Sequence, residues 1–260
     1  MSIKTTDLIT EIERWAPPEC AAVWDNSGWQ IDLRKPEVTR ILVALDPTKA
    51  VACEASEKGA DFLLAHHPLF FAPTKMLEEG VDNGGIAIHL IKEGISIYSA
   101  HTSFDSAVGG MNDLLAEKIG LSGLRLLPDA EEPAFVRCGD FKPPVSFAQI
   151  CERAEKTLEM QGQIKKVGAN DTILKTGAVC GGAGGSQLAD IVRADIDFYL
   201  TSDIKHDDAL YAAAHGLCLI DGGHWGTEHH FISVMADRLR TKFADSVEII
   251  ESNINKNPWL

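Results

Sequence analysis

Apolar and polar positions alternate along the chain in blocks that predict helices and strands by turns. Thr5 or Thr6 caps a first helix, in which Leu8, Ile9, Ile12 and Trp15 recur at helical spacing and which Pro17-Pro18 ends. The run Ile41-Leu42-Val43-Ala44-Leu45-Asp46 predicts a buried strand, and Pro47-Thr48 leads into a helix through Val51, Ala52 and Ala55. Phe62-Leu63-Leu64-Ala65 predicts a second buried strand. Gly84-Gly85 opens a helix through Ile86, Ile88, Leu90 and Ile91 that ends at Gly94, and Ile95 to His101 reads as a third strand. Gly109-Gly110 begins a helix through Met111, Leu114, Leu115 and Ile119, closed by Gly120. Strand, helix, strand, helix is the pattern of βαβ units and a largely parallel sheet. The intervening Trp24-Asp25-Asn26-Ser27-Gly28-Trp29-Gln30 is turn-rich and reads as a structured loop packed on the core.

The composition changes at Leu126-Leu127-Pro128-Asp129-Ala130-Glu131-Glu132-Pro133, which marks a domain boundary. Beyond it, Ala134 to Cys138 predicts a strand, Ser146 to Met160 a helix and Thr176 to Cys180 another strand. The glycine run Gly181 to Gly185 then precedes a helix through Leu188, Ile191 and Val192. Asp197 to Asp203 and Leu217 to Asp221 are strands flanking an alanine-rich helix from Ile204 to Ala214. An amphipathic helix through Phe231, Val234, Met235 and Leu239 leads to a last strand, Val247-Glu248-Ile249-Ile250. The fold class is therefore α/β. The expected division is 1–127 plus 217–260 as one discontinuous domain and 128–216 as a second.

The 260 residues are enough for one or two domains with a sizeable core, and an apolar content of 45% excludes a disordered chain. Lys and Arg number 24 against 38 Asp and Glu, a net charge of −14 without a basic cluster. That field repels a polyanion, so no nucleic-acid partner is expected. The first residues carry no apolar signal core and no run approaches a membrane span, so no membrane partner is expected either. Cys20, Cys53, Cys138, Cys151, Cys180 and Cys218 are scattered, which reads as reduced thiols in a cytoplasmic protein.

The chemistry starts at His66-His67-Pro68. Two imidazoles close a buried strand, and Pro68 keeps His67 extended, so the strand's end opens toward a crevice. Successive strand residues point to opposite faces, so adjacent histidines serve two neighbouring metals more easily than one. Two other strands end in comparable residues: His101 with Asp105, and His224 with Glu228 four residues on, at a helix start where the dipole favours a carboxylate. Carboxyl ends of parallel strands converge on one crevice. Imidazoles with carboxylates suit two divalent cations of Zn, Mn, Fe or Co rather than Ca, and two cations about 4 Å apart serve hydrolysis. His101 is the candidate catalytic acid or base; a hydrogen bond to a ligand carboxylate is the other reading of it. His229 and His230 line a cleft or a helix surface, while His89 and His215 read as packing or surface residues. The glycine run lacks Gly-Lys-Ser/Thr and the dinucleotide spacing, which favours a tight turn over a phosphate loop.

Several segments together resemble one family: Trp24-Asp25-Asn26-Ser27-Gly28, Ala44-Leu45-Asp46-Pro47-Thr48, His66-His67-Pro68-Leu69, His101-Thr102 with Asp105, Gly110 to Ala116, and Gly223-His224 with Glu228. They look like the GTP cyclohydrolase 1 type 2 homologue family, the NIF three-like proteins, from about Trp24 onward. The resemblance implies two interleaved α/β domains in three α/β/α layers, a dinuclear metal site in the cleft between them, and a homo-oligomeric six-subunit ring. Carried over by position, His66 and His224 bind one cation, His67 and Asp105 the other, and Glu228 bridges. The length matches the short form, without the inserted middle domain. Thr201 to Asp207 departs from the family motif at Ser202 and Asp207, which leaves Asp203, Lys205 and His206 open between catalysis and support. The expected function is a metal-dependent hydrolase of a small polar or nucleotide-like substrate. The alternative is a non-catalytic metal-binding adaptor or metal-handling protein.

Overall fold

The apolar runs become strands because both of their faces are covered. Ile41 to Ala44 and Phe62 to Ala65 are fully buried, as βαβ connections require when they place helices on each side of a sheet. In the computed structural model all residues are described except Val81, Asp129, Glu131, Glu132, Asn255 and Leu260. The chain divides into two units, Met1–Ala107 with His230–Lys256, and Val108–His229 with Asn257–Leu260.

The first unit is built on five strands in the order Glu248–Glu251, Arg40–Ala44, Phe62–Ala65, Ser96–Ser99 and Gly28–Ile31. The first four run parallel and Gly28–Ile31 pairs antiparallel at the edge. Leu42, Ala44, Leu63, Ala65 and Ile97 face the helices Lys49–Glu57 and Asn83–Lys92, meeting Val51, Ala52, Ala55, Ile86 and Leu90. The helix Phe231–Phe243 packs on the strands Arg40–Ala44 and Glu248–Glu251. Gly28–Ile31 lies where a loop was expected. Its Trp29 packs edge-on against Phe62 and Tyr98, so a turn-rich sequence still completes the sheet. The first helix, Thr5–Trp15, has no side-chain cap: Lys4 stands at the cap position, and Thr5 Oγ1 instead donates to the Lys35 carbonyl at 2.6 Å.

The second unit holds six strands in the order Ser122–Leu126, Arg137–Ser146, Ile173–Val179, Phe198–Thr201, Cys218–Asp221 and Lys165–Val167. The three strands Ile173–Val179, Phe198–Thr201 and Cys218–Asp221 are mutually parallel, and the others pair antiparallel. Alternate residues serve two cores. Phe198, Leu200 and Ile220 meet the helices Met111–Ile119 and Phe147–Thr157, while Tyr199 and Leu219 meet Leu188, Ile191 and Ala212. The strand expected over Ala134 to Cys138 runs instead from Arg137 to Ser146.

The structure divides the chain elsewhere than at 127/128 and 216/217. Ser122–Leu126 pairs with Arg137–Ser146, and Met111–Ile119 packs beneath it, so the chain from Val108 belongs to the second sheet. Cys218–Asp221 pairs with Phe198–Thr201 and carries the segment up to His229 with it. The boundary expected at Leu126 to Pro133 includes Asp129, Glu131 and Glu132, which lie outside the described residues.

No disulfide joins the cysteines, and Cys138, Cys151, Cys180 and Cys218 are buried. Among the described residues no helix is long and apolar enough to cross a membrane. The helix Phe147–Thr157 carries a capping box: the Gln149 N–H donates to Ser146 Oγ at 3.3 Å, and the Ser146 N–H donates to Gln149 Oε1 at 2.9 Å. Ser146→Ala is expected to lower unfolding free energy by about 1 kcal/mol in denaturant titration. A change under about 0.3 kcal/mol would show that the helix start is held by packing alone.

Candidate metal centre

In the first unit, the His-His pair continues the hydrogen-bond ladder past the end of its strand. The His66 and His67 N–H groups donate to the Ala44 and Leu45 carbonyls at 3.2 and 2.9 Å. His101 follows the neighbouring strand Ser96–Ser99, so parallel pairing brings all three rings to the same sheet edge. Their centroids are 4.9, 5.2 and 5.5 Å apart, and one nitrogen from each lies within 4.8 Å of the others. Asp105 ends the short helix Thr102–Asp105 and places Oδ1 3.6 Å from His66 Nε2.

Each ring has its Nδ1 committed. His66 Nδ1 lies 2.8 Å from the Ala100 carbonyl oxygen, which can only accept, so the proton of the neutral ring sits on Nδ1 and Nε2 carries the lone pair. His67 Nδ1 lies 2.6 Å from Asp46 Oδ1, and His101 Nδ1 lies 2.7 Å from Asp25 Oδ1. The Asp25 side chain is fully buried. Burial alone would raise its pKa, but hydrogen bonds from His101, Ser27 and Thr102 outweigh that and hold the carboxyl well below the usual carboxylate range. The segment around Trp24 thus does more than pack on the core. Trp24 is mostly exposed, with its ring edge toward His101, and the neighbouring Asp25 orients that imidazole.

In the second unit, His224 and Glu228 begin and end the short helix His224–Glu228, which starts directly after Gly223. His224 Nε2 lies 3.1 Å from Glu228 Oε2, and His224 Nδ1 lies 2.6 Å from Asp203 Oδ2. Both ring nitrogens face carboxylates, an arrangement that calls for positive charge: a proton on Nε2, or a cation in its place. Asp203 adopts the left-handed backbone region at φ 55°, a strained setting for a residue other than glycine. Asp221 ties the loops together, accepting from the Ile204 and Gly223 N–H groups. Lys205 and His206 take no part in this arrangement; they start the helix His206–Ala214.

The glycine run is a tight turn whose donors point inward. The Gly181 N–H donates to Asn112 Oδ1 at 2.6 Å, that of Gly182 to Thr227 Oγ1 at 3.0 Å, and that of Gly184 to Thr201 Oγ1 at 2.9 Å. A phosphate loop would present these groups outward. The other histidines pack: His229 stacks on Trp225 at 4.2 Å, and His215 sits against Tyr211. His230 is buried in the first unit, where His89 Nε2 meets Ser56 Oγ at 2.9 Å.

Within each unit the donors are of a kind that suits a divalent cation. Imidazoles whose Nδ1 is held by an oxygen, beside carboxylates, are what mixed nitrogen and oxygen coordination uses. Spacing alone did not single out Asp25 and Asp46. The signal for Asp46 was its place at the end of a buried strand, directly before Pro47.

The Duf34/NIF3 (NGG1p interacting factor 3) description matches residues 3–258. A GTP cyclohydrolase 1 type 2 homolog of Streptomyces coelicolor is 31% identical over 98% of this chain and 93% of its own length. One of the same name from a Nostoc species is 35% identical over 92% of each. Among solved structures, a Bacillus cereus protein related to NIF3 superposes with a TM-score of 0.89 at 23% identity, covering 99% of both chains, and shares the fold. With the match running almost from end to end, the chain belongs to the Duf34/NIF3 family.

Proposed function

We propose that this protein binds two divalent cations and uses them to hydrolyse a small polar or nucleotide-like substrate. The observation that carries the reading is the commitment of Nδ1 in His66, His67 and His224 to protein oxygens, which supports Nε2 as the ligand atom in each. The family resemblance distributes the donors: His66 and His224 to one cation, His67 and Asp105 to the other, Glu228 to both. Zn, Mn, Fe and Co suit this set. Bound cations of this kind lower the pKa of water and polarise the substrate.

The chain's own part is orientation and proton transfer. Asp46 and Asp203 fix the rings of His67 and His224. Asp25 fixes the His101 ring through Nδ1, so that Nε2 of His101 takes or delivers the proton. The name carried by the relatives points to a GTP-like substrate. A six-subunit ring and a cytoplasmic location belong to the same proposal, and the resemblance supports the ring.

Elemental analysis tests the reading on protein prepared without chelator or His-tag. About two cations per chain are expected, with fewer in His67→Ala. A chain that takes up none from Zn, Mn, Fe or Co overturns it.

A further inference from the structure

The turn after the strand Ile173–Val179 lies against the ligand pair of the second unit. Gly182 has φ +63°, and a Cβ placed on it would lie 2.5 Å from Glu228 Oε1 and 3.4 Å from His224 Cε1 and Nε2. The bare backbone at this position is therefore the wall against which the carboxylate and the imidazole rest. The wall is anchored on both sides. The Gly182 carbonyl accepts from the Ser202 N–H at 3.0 Å, from Ser202 Oγ at 2.6 Å and from Thr201 Oγ1 at 3.1 Å. The Gly182 N–H donates to the hydroxyl of Thr227, a buried residue of the ligand helix whose hydroxyl in turn donates to the His224 carbonyl at 2.9 Å.

We infer that Gly182 is a positioning residue for the metal ligands, holding the Glu228 carboxylate and the His224 ring through close backbone contact and the bond to Thr227. This rests on the metal reading above. The clash created by a methyl at 182 falls on the end of a flexible side chain, so Glu228 moves, and the positive φ adds backbone strain that lowers stability. The neighbouring glycines differ. A Cβ at Gly181 meets nothing closer than 3.5 Å, whereas one at Gly184 lies 2.3 Å from Thr201 Oγ1, itself a donor to the Gly182 carbonyl, and 2.4 Å from the Tyr199 hydroxyl.

The test is cobalt(II) titration of the metal-free full chain, read by its visible absorption, beside far-ultraviolet circular dichroism and thermal melting. Gly182→Ala is expected to keep the wild-type secondary structure, bind cobalt about 10 to 100-fold more weakly and shift the cobalt absorption bands. Gly181→Ala is expected to match wild type. Thr227→Val is expected to weaken cobalt binding, and Thr227→Ser, which restores the hydroxyl, to recover it. Wild-type affinity and spectrum in Gly182→Ala would overturn the inference alone, as would equal cobalt loss in Gly181→Ala. Should Gly182→Ala fail to fold, the Thr227 pair decides: wild-type affinity in Thr227→Val overturns the inference. No cobalt uptake by the wild-type chain overturns the metal reading and the inference with it.

Discussion

Glu228→Gln is expected to strip the protein of metal while leaving its fold in place. Glutamine has nearly the shape of glutamate, so the buried space beside Gly181 and Gly182 stays filled. What is lost is the charge, together with an acceptor-only oxygen 3.1 Å from His224 Nε2. A carboxamide is a poor ligand for a divalent cation among imidazoles and presents N–H donors where a cation would sit. Replacing residues that merely support a ligand costs metal affinity about 10 to 100-fold, so loss of the carboxylate proposed to serve both cations should weaken it by at least about 100-fold. Turnover should fall with occupancy. Competition against a chromophoric chelator measures the affinity, and a thermal melt of the metal-free chains checks the fold. Wild-type affinity in Glu228→Gln would remove this residue from the ligand set.

Asp25→Asn separates proton transfer from metal binding. The carboxylate accepts hydrogen bonds from His101, Ser27 and Thr102, and an amide cannot serve all of these donors. It would also turn its own N–H groups against them and release His101 from its orientation. Metal content should stay at the wild-type level while turnover drops by about 10² to 10⁴-fold, the usual contribution of a positioned acid or base. His101→Ala should do the same. Two metals with unchanged turnover in both variants would assign His101 a structural role.

The same substitution has a pH signature. Asp25 has an ordinary pKa of 3.8, and in the folded chain it is held well below that. The folded state therefore binds this proton less readily than the unfolded state. Its stabilising contribution is complete above about pH 4 and is lost as pH falls through the depressed folded value. Denaturant titration of metal-free protein at neutral pH and near pH 3 should show wild type losing more stability on acidification than Asp25→Asn. Equal losses would contradict the assigned role of the carboxylate.

The alternation of apolar blocks was enough to establish α/β architecture, because strands covered on both faces must be apolar throughout, as Phe62–Ala65 is. It was equally enough to place His66, His67, His101 and His224 near strand ends, since each follows shortly after an apolar run that breaks off into polar residues. Three edge strands escaped it. Gly28–Ile31, Ser122–Leu126 and Lys165–Val167 are partly or largely exposed, and the backbone pairing that forms them leaves no apolar period. The supporting residues escaped it for a related reason. An aspartate in a turn reads the same whether it caps a helix or holds a ring 21 or 76 positions away, as Asp46 and Asp25 do for His67 and His101. The left-handed backbone of Asp203 and the approach of Gly182 to Glu228 are likewise set by tertiary packing. Local sequence thus determined which segments are buried and which chemistry stands at their ends. Packing between distant segments decided which acceptors hold each imidazole, because hydrogen-bond distance and direction depend on where the partner's backbone runs and not on its place in the chain.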